Sequence, residues 1–263
     1  MMRILGIDSS VPQGSVALLE NNHIISETYL NKSSGNHSDG LLRMVDEVLS
    51  GAQYQLRDID GFSVTAGPGS FTGLRVGVSL VKGFVLATEK PFKGIDTLEA
   101  VSACAEPTGH PICAILDARK KEVYCAFFRY EGNKMSDPAA SGRGIRQEFS
   151  FKRVASHGEL NPLVGLKRST PDRAMRPEEV CAMVSEPTVF IGSGLEAYGD
   201  YFSRRLGSLF VDNSNAIRHS VAASAALLAK PHLENHPCFD LGELKIKYVR
   251  KSEAELNFTK QTL

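Results

Sequence analysis

Apolar and polar residues alternate along this chain in two rhythms, one of strands and one of helices. Ile4 to Asp8 reads as a buried strand that ends in a polar turn, Ser9 to Gly14. Ser15 to Leu19 and Ile24 to Leu30 follow as strands, joined by the hairpin-like Glu20-Asn21-Asn22-His23. Asn36-His37-Ser38-Asp39 supplies a helix start, and Leu41, Leu42, Val45, Val48 and Leu49 then keep helical spacing. Gly61 to Ala66 is a short strand, and the turn Gly67-Pro68-Gly69-Ser70-Phe71-Thr72-Gly73 opens a second helix over Leu74 to Ala87. Three strands, helix, strand and helix make one α/β unit.

The pattern then restarts. Ile112 to Asp117 is again an apolar strand ending in aspartate, and it turns back through Ala118 to Glu122 into a strand over Val123 to Phe128. This strand–Asp–hairpin unit repeats Ile4 to Leu19 about a hundred residues later, which predicts two related halves, 1–108 and 109–263. Thr188 to Ile191 reads as a strand leading through Gly192-Ser193-Gly194 into a helix over Leu195 to Leu206. Ser220 to Ala229 is a small-residue helix that ends before Pro231, and the tail from Leu241 reads as extended and exposed, with Lys245, Lys247, Arg250 and Lys251 around Tyr248.

Charge changes this picture little. The 263 residues carry Lys+Arg 30 against Asp+Glu 30, so a protein that mainly coats nucleic acid is not indicated. One stretch departs from the balance: residues 118–176 hold 13 Lys/Arg and 6 Asp/Glu, and 135–177 reads as a loop-rich basic insertion. That stretch is either solvated surface or a surface for RNA phosphates. The five cysteines are scattered without a C-x-x-C pair, so neither a disulfide framework nor a zinc knuckle is expected. A carboxylate at Asp8 precedes any signal-peptide core, and the apolar run Val76 to Ala87 is interrupted by Lys82. A reduced, cytoplasmic protein that does not engage the membrane is expected.

Candidate chemistry is sparse. The turn at 67–73 admits two readings, a phosphate cradle at a helix N-terminus or a tight turn that fixes how the helix meets its sheet. It lacks the Lys-Ser/Thr of a Walker A loop and misses G-x-G-x-x-G by one position. Asp8 and Asp117 end equivalent strands, where two carboxylates could hold Mg²⁺ with a nucleotide phosphate or could simply be turn formers. No G-x-S-x-G elbow exists, and His232 and His236 have metal-ligand spacing only if the segment between Pro231 and Pro237 is helical, which the prolines argue against. The helix from Leu74 is apolar in nearly every direction, so it needs cover on more than one side, from its own chain or from a partner.

These residues together resemble the TsaB (YeaZ) family. The resemblance rests on Ile4-Leu5-Gly6-Ile7-Asp8-Ser9-Ser10, on His37-Ser38 before the Leu41-Leu42 helix, and above all on the run Gly67 to Gly77. Asp96-Thr97-Leu98, Asp117-Ala118-Arg119 and Tyr248-Val249-Arg250 extend it. It implies an α/β fold of two actin-like/Hsp70-like (ASKHA) halves, each a mixed sheet with flanking helices. It also implies a noncatalytic subunit beside a catalytic TsaD-like paralogue and a TsaE-like ATPase, acting on tRNA through the complex and forming a homodimer when alone. The partner contact would lie on the first-half helices, at His37, Leu41, Val45, Val48, Leu74, Val78, Val81 and Val85. In the catalytic paralogue an H-x-x-x-H pair binds a metal, whereas residues 99–110 here hold only His110, so no metal is expected. No cofactor would be tightly bound, and a vestigial site for ATP and Mg²⁺ would fall at Asp8, Ser9, Ser10 and Asp117, with Gly67, Gly69 and Gly73 as a structural turn. The alternative is a metal- or nucleotide-dependent enzyme of the same fold, peptidase-like or kinase-like.

Overall fold

A computed structural model describes residues 1–29, 37–131, 165–212 and 219–250. In the first half, strands β1 (Arg3–Asp8), β2 (Ser15–Glu20) and β3 (His23–Tyr29) precede helix α1 (His37–Gly51), β4 (Gly61–Thr65), α2 (Phe71–Thr88), β5 (Phe92–Ile95) and α3 (Thr97–Ser102). In the second, β6 (Ile112–Arg119) and β7 (Glu122–Tyr130) precede β8 (Leu166–Arg168), β9 (Arg173–Met175), α4 (Pro177–Ala182), β10 (Thr188–Ile191), α5 (Gly194–Leu206), β11 (Phe210–Asp212) and α6 (Val221–Asn235).

The two sheets have the same plan. The first runs β3-β2-β1-β4-β5 and the second β8-β7-β6-β10-β11, with β9 also pairing β7. In each, an antiparallel hairpin (β1/β2, β6/β7) is joined by parallel strands beyond its first member. The repeat read from the two strand–Asp–hairpin units is therefore an architectural repeat.

Both sheets are covered on both faces, which is why their strands read as near-continuous apolar runs. Leu5, Ile7, Val16, Leu18, Phe62 and Val64 face α1 and α2. The alternate residues Ile4, Ala17, Leu19 and Ile24 face α6, whose contact stripe is Ala222, Ala223, Ala225, Ala226 and Ala229. On the second sheet, Cys113, Ile115, Cys125 and Phe190 pack on Val180 of α4 and Phe202 of α5. Its opposite face, with Ile112, Ala114, Leu116 and Phe128, is covered by Leu98 and Val101 of α3 and by Cys104 just beyond it.

The halves thus exchange their last helices: α3 lies on the second sheet and α6 on the first. They meet across a buried polar seam in which Ser224 Oγ lies 3.2 Å from Cys104 Sγ and 2.8 Å from His219 Nε2. By packing, the expected half 109–263 gives up α6 and Leu244 to the core of the first sheet. Two further expectations change. Helix α6 continues through Pro231 to Asn235, because Leu233, 4% exposed, anchors its last turn in the core. The end of the basic insertion is not all loop, since β8 and β9 pair with β7, while residues 132–164 lie outside the described residues.

Candidate functional site

The glycine turn after β4 is a packing device. Ser70 caps α2, its Oγ accepting from Gly73 N at 3.2 Å, and Ser70 N donates to Ser10 O at 2.8 Å. A Cβ at Gly69 would lie 2.5 Å from Ser10 O, and one at Gly73 1.9 Å from Ser9 O. Gly67 has φ +117 and sits against Lys247 O. Ser9 Oγ donates to Gly73 O at 2.7 Å. The turn after the first strand and residue 247 therefore pack directly against the three glycines.

Asp8 is sealed beneath this turn. It is fully buried, and its Oδ1 accepts from Thr65 Oγ1 at 2.7 Å, Ser10 N at 3.0 Å and Ser10 Oγ. Its Oδ2 has no hydrogen-bond partner among the described residues. Burial pushes the carboxyl pKa above its ordinary value, against the hydrogen bonds from Ser10 and Thr65, which pull it down. Asp117 lines the interdomain cleft, whereas Asp8 is buried behind Ser10, which does line it.

The sign of this shift makes a prediction. A raised pKa in the folded state means stability that is complete below the unfolded value, near pH 3.9, and declines as pH rises toward the folded value. Asp8→Asn keeps an acceptor for Ser10 and Thr65 and removes the charge. Relative to the parent, its melting temperature should rise as pH goes from about 4 to neutral. ATP with Mg²⁺ should shift neither protein. A ligand-induced rise in the parent that Asp8→Asn abolishes would restore the carboxylate as a metal ligand.

Between the halves lies a cleft of about 880 Å³. The first half contributes Ser10, the glycine turn, Phe71 and Arg75; the second contributes the β6–β7 turn, Ser193 and Glu196. Gln13 Nε2 donates to Glu196 Oε1 at 2.6 Å across one side. Residues 247–250 cross the other side as a strap rather than a free tail. Lys247 N donates to Ala66 O at 2.7 Å, Tyr248 packs at a tilt against Phe71 with centroids 5.1 Å apart, and Arg250 pairs with Glu122 at 3.4 Å. Lys247 Nζ also bridges Asp96, at 2.7 Å, and Asp172, and Arg168 joins the same two carboxylates. Burial raises the Asp172 pKa; Asp96, despite burial, is held low by hydrogen bonds from Asp172 and Lys247 and by the Arg168 charge. Sequence reasoning missed this network, although Asp96 and Tyr248-Val249-Arg250 carried part of the resemblance.

The first-half helices depart from expectation in their details. Leu41, Val45, Val48, Leu74, Val78, Val81 and Val85 are all buried within their own chain, and the His37 side chain lies outside the described residues. Leu41, Val45, Val48, Val78, Val81 and Val85 belong to the core beneath α1 and α2, and Leu74 lines the cleft between the halves. Val76 and Leu80 are half-buried and pack against that same core, and the exposed apolar surface of α2 is Leu86, 71% exposed, with Gly83 and Ala87 beside it. On α1, Leu42 is 53% exposed.

Four of the five cysteines are buried. Burial pushes the thiols of Cys104 and Cys125 up to about 12, so both stay protonated near neutral pH. Among the described residues no group of three or more His, Cys, Asp and Glu side chains could hold a metal ion.

This architecture is an α/β fold of two actin-like/Hsp70-like halves. The solved structure of YeaZ from Pseudomonas aeruginosa shares it, with a TM-score of 0.66 and 21% identity, covering 94% of this chain and 100% of that one. The family model described as TsaD, tRNA N6-adenosine threonylcarbamoyltransferase, matches residues 23–258. The tRNA threonylcarbamoyladenosine biosynthesis protein TsaB of Escherichia coli (strain K12) is 33% identical over 155 residues, 58% of this chain and just under two thirds, 66%, of its own length. The protein of the same name in Haemophilus influenzae is 25% identical over 232 residues, 87% of this chain and 88% of its own. The chain belongs to the TsaB/YeaZ family, built on a TsaD-type domain.

Proposed function

We propose that this chain is a noncatalytic subunit in tRNA threonylcarbamoyladenosine biosynthesis, docking on a TsaD-type catalytic paralogue through the exposed face of α1 and α2. The observation that carries the reading is the exposed Leu86 with Gly83 and Ala87, flanked by the half-buried Val76 and Leu80, on a helix whose Val78, Val81 and Val85 are already buried in the core. The names of its relatives supply the pathway. Two chains of one ancestral fold can pair the same helices about a pseudo-twofold axis, giving a four-helix contact. The same face closes a homodimer when the partner is absent. A TsaE-like ATPase completes the assembly, and tRNA is reached through the complex in the cytoplasm.

The test separates docking from folding. A Cβ at Gly83 meets nothing within 4 Å, so Gly83→Arg has room and gains helix propensity of about 0.5–1 kcal/mol. It should melt no lower than the parent yet lose at least about tenfold in affinity for the catalytic paralogue, roughly 1.4 kcal/mol. In a reconstituted mixture supplied with the threonylcarbamoyl donor, tRNA modification should fall with it. Undiminished capture of the paralogue by the folded variant would sink the docking face. Modification that proceeds equally without this protein would sink the function.

A further inference from the structure

We infer that the β6–β7 turn and the adjoining cleft mouth bind single-stranded RNA, with phosphates on Arg119, Lys120 and Lys121 and a base against Tyr248 and Phe71. The inference rests on the tRNA-modification reading for its choice of RNA among polyanions.

The turn breaks a local rule. Its register passes from Asp117↔Val123 to Arg119↔Glu122, leaving Lys120 and Lys121 as a two-residue hairpin loop. Arg119, Lys120 and Lys121 have φ of 63, 53 and 63, three consecutive side-chain-bearing residues in the left-handed region. A two-residue hairpin with both φ values positive favours Asn-Gly, and lysine there is strained. All three cations are exposed at the tip of the hairpin.

Their surroundings point to an anion. Arg119 and Lys120 line the cleft beside Arg75, and the two lining carboxylates are engaged: Asp117 accepts from Arg119 N at 2.8 Å, and Glu196 from Gln13. Tyr248, 46% exposed, and Phe71, 40% exposed, stand at the mouth, and Arg75 lies over the Phe71 ring at 3.9 Å. Aromatic faces beside guanidinium groups and a cationic track are what unpaired bases and their backbone engage. The cations sit at the rim and Asp8 is sealed away, which favours an extended polyanion over a metal-bound nucleotide.

Lys120→Asn with Lys121→Gly tests this in the full-length protein. The pair suits the turn, so the melting temperature should hold or rise by about 2–4 °C. Affinity for a fluorescent anticodon stem–loop RNA should fall about tenfold near 0.1 M salt, and the slope of log affinity against log salt should flatten by about 1.4. Tyr248→Ala should weaken binding with little change in that slope. Unchanged RNA affinity in the double variant overturns the inference. So does an oligoglutamate peptide binding as tightly as the RNA, or ATP displacing the RNA at matched ionic strength. If the variant binds RNA normally while the parent complex modifies tRNA, only this inference fails. If the variant loses RNA binding but the parent complex modifies nothing, the RNA site stands and the functional reading fails.

Discussion

Gly6→Ala should lower the melting temperature by about 6–12 °C, equivalent to about 3 kcal/mol, although it adds a single methyl group. Gly6 lies in the middle of β1, paired with Ala17 on one side and Ser63 on the other. A Cβ there would stand 2.1 Å from Ala222 O and 3.1 Å from the Ala226 Cβ. The first of these is backbone, so no side-chain rotation relieves it, and the whole N-terminal turn of α6 has to lift. Lifting it stretches the 3.2 Å bond from Ala222 N to Ser15 Oγ and thins the alanine contacts on Ile4 and Ala17. The strand cannot yield instead, because both neighbours hold its register. A thermal melt checks this, and a shift below about 2 °C would mean that α6 does not rest on β1 as described.

Val81→Asp should leave little folded protein. Val81 is fully buried in the cluster that includes Phe62, Phe84 and Val45. A lone carboxylate there costs about 4 kcal/mol or more, against a total stability of about 5–15 kcal/mol. Insolubility, or loss of the cooperative melt, is the expected reading. A soluble, cooperatively folded Val81→Asp that fails only to bind its partner would instead put this side of α2 at the interface. Set beside Gly83→Arg, the pair distinguishes the two faces of one helix by opposite effects on folding.

That contrast shows what the sequence reveals and what it withholds. The all-round apolarity of α2 signals two covers for one helix. Which face the sheet takes depends on how far the helix is rotated about its axis, and rotation is set by tertiary contacts such as Ser9 Oγ to Gly73 O. The long elements are legible because Ile4 to Asp8, Ile112 to Asp117 and Thr188 to Ile191 are apolar runs bounded by turn residues. The short ones, β8, β9 and β11 at three residues each, hold no periodicity to read. Helix α3 did have a local sign, since Asp96 Oδ1 accepts from Glu99 N in the manner of a cap. In the candidate site, Asp117 at the cleft was legible from the repeat. The burial of Asp8 was not, because it comes from Thr65 and Ser10 closing over it. The strap over 247–250 was hidden for a related reason: its partners Ala66, Phe71 and Glu122 are more than a hundred residues away in sequence.

The exchange of α3 and α6 sets the order in which the molecule can be completed. The first sheet is closed on its inner face by a helix that begins at Val221, so the sheet that leaves the ribosome first is finished among the last. Until then Ile4, Ala17, Leu19 and Ile24 have only solvent or a chaperone over them. The contacts that end this exposure join residues more than two hundred positions apart, and closing such loops is slow. A chain cut after β11 would lack not a terminal ornament but the inner wall of its oldest half.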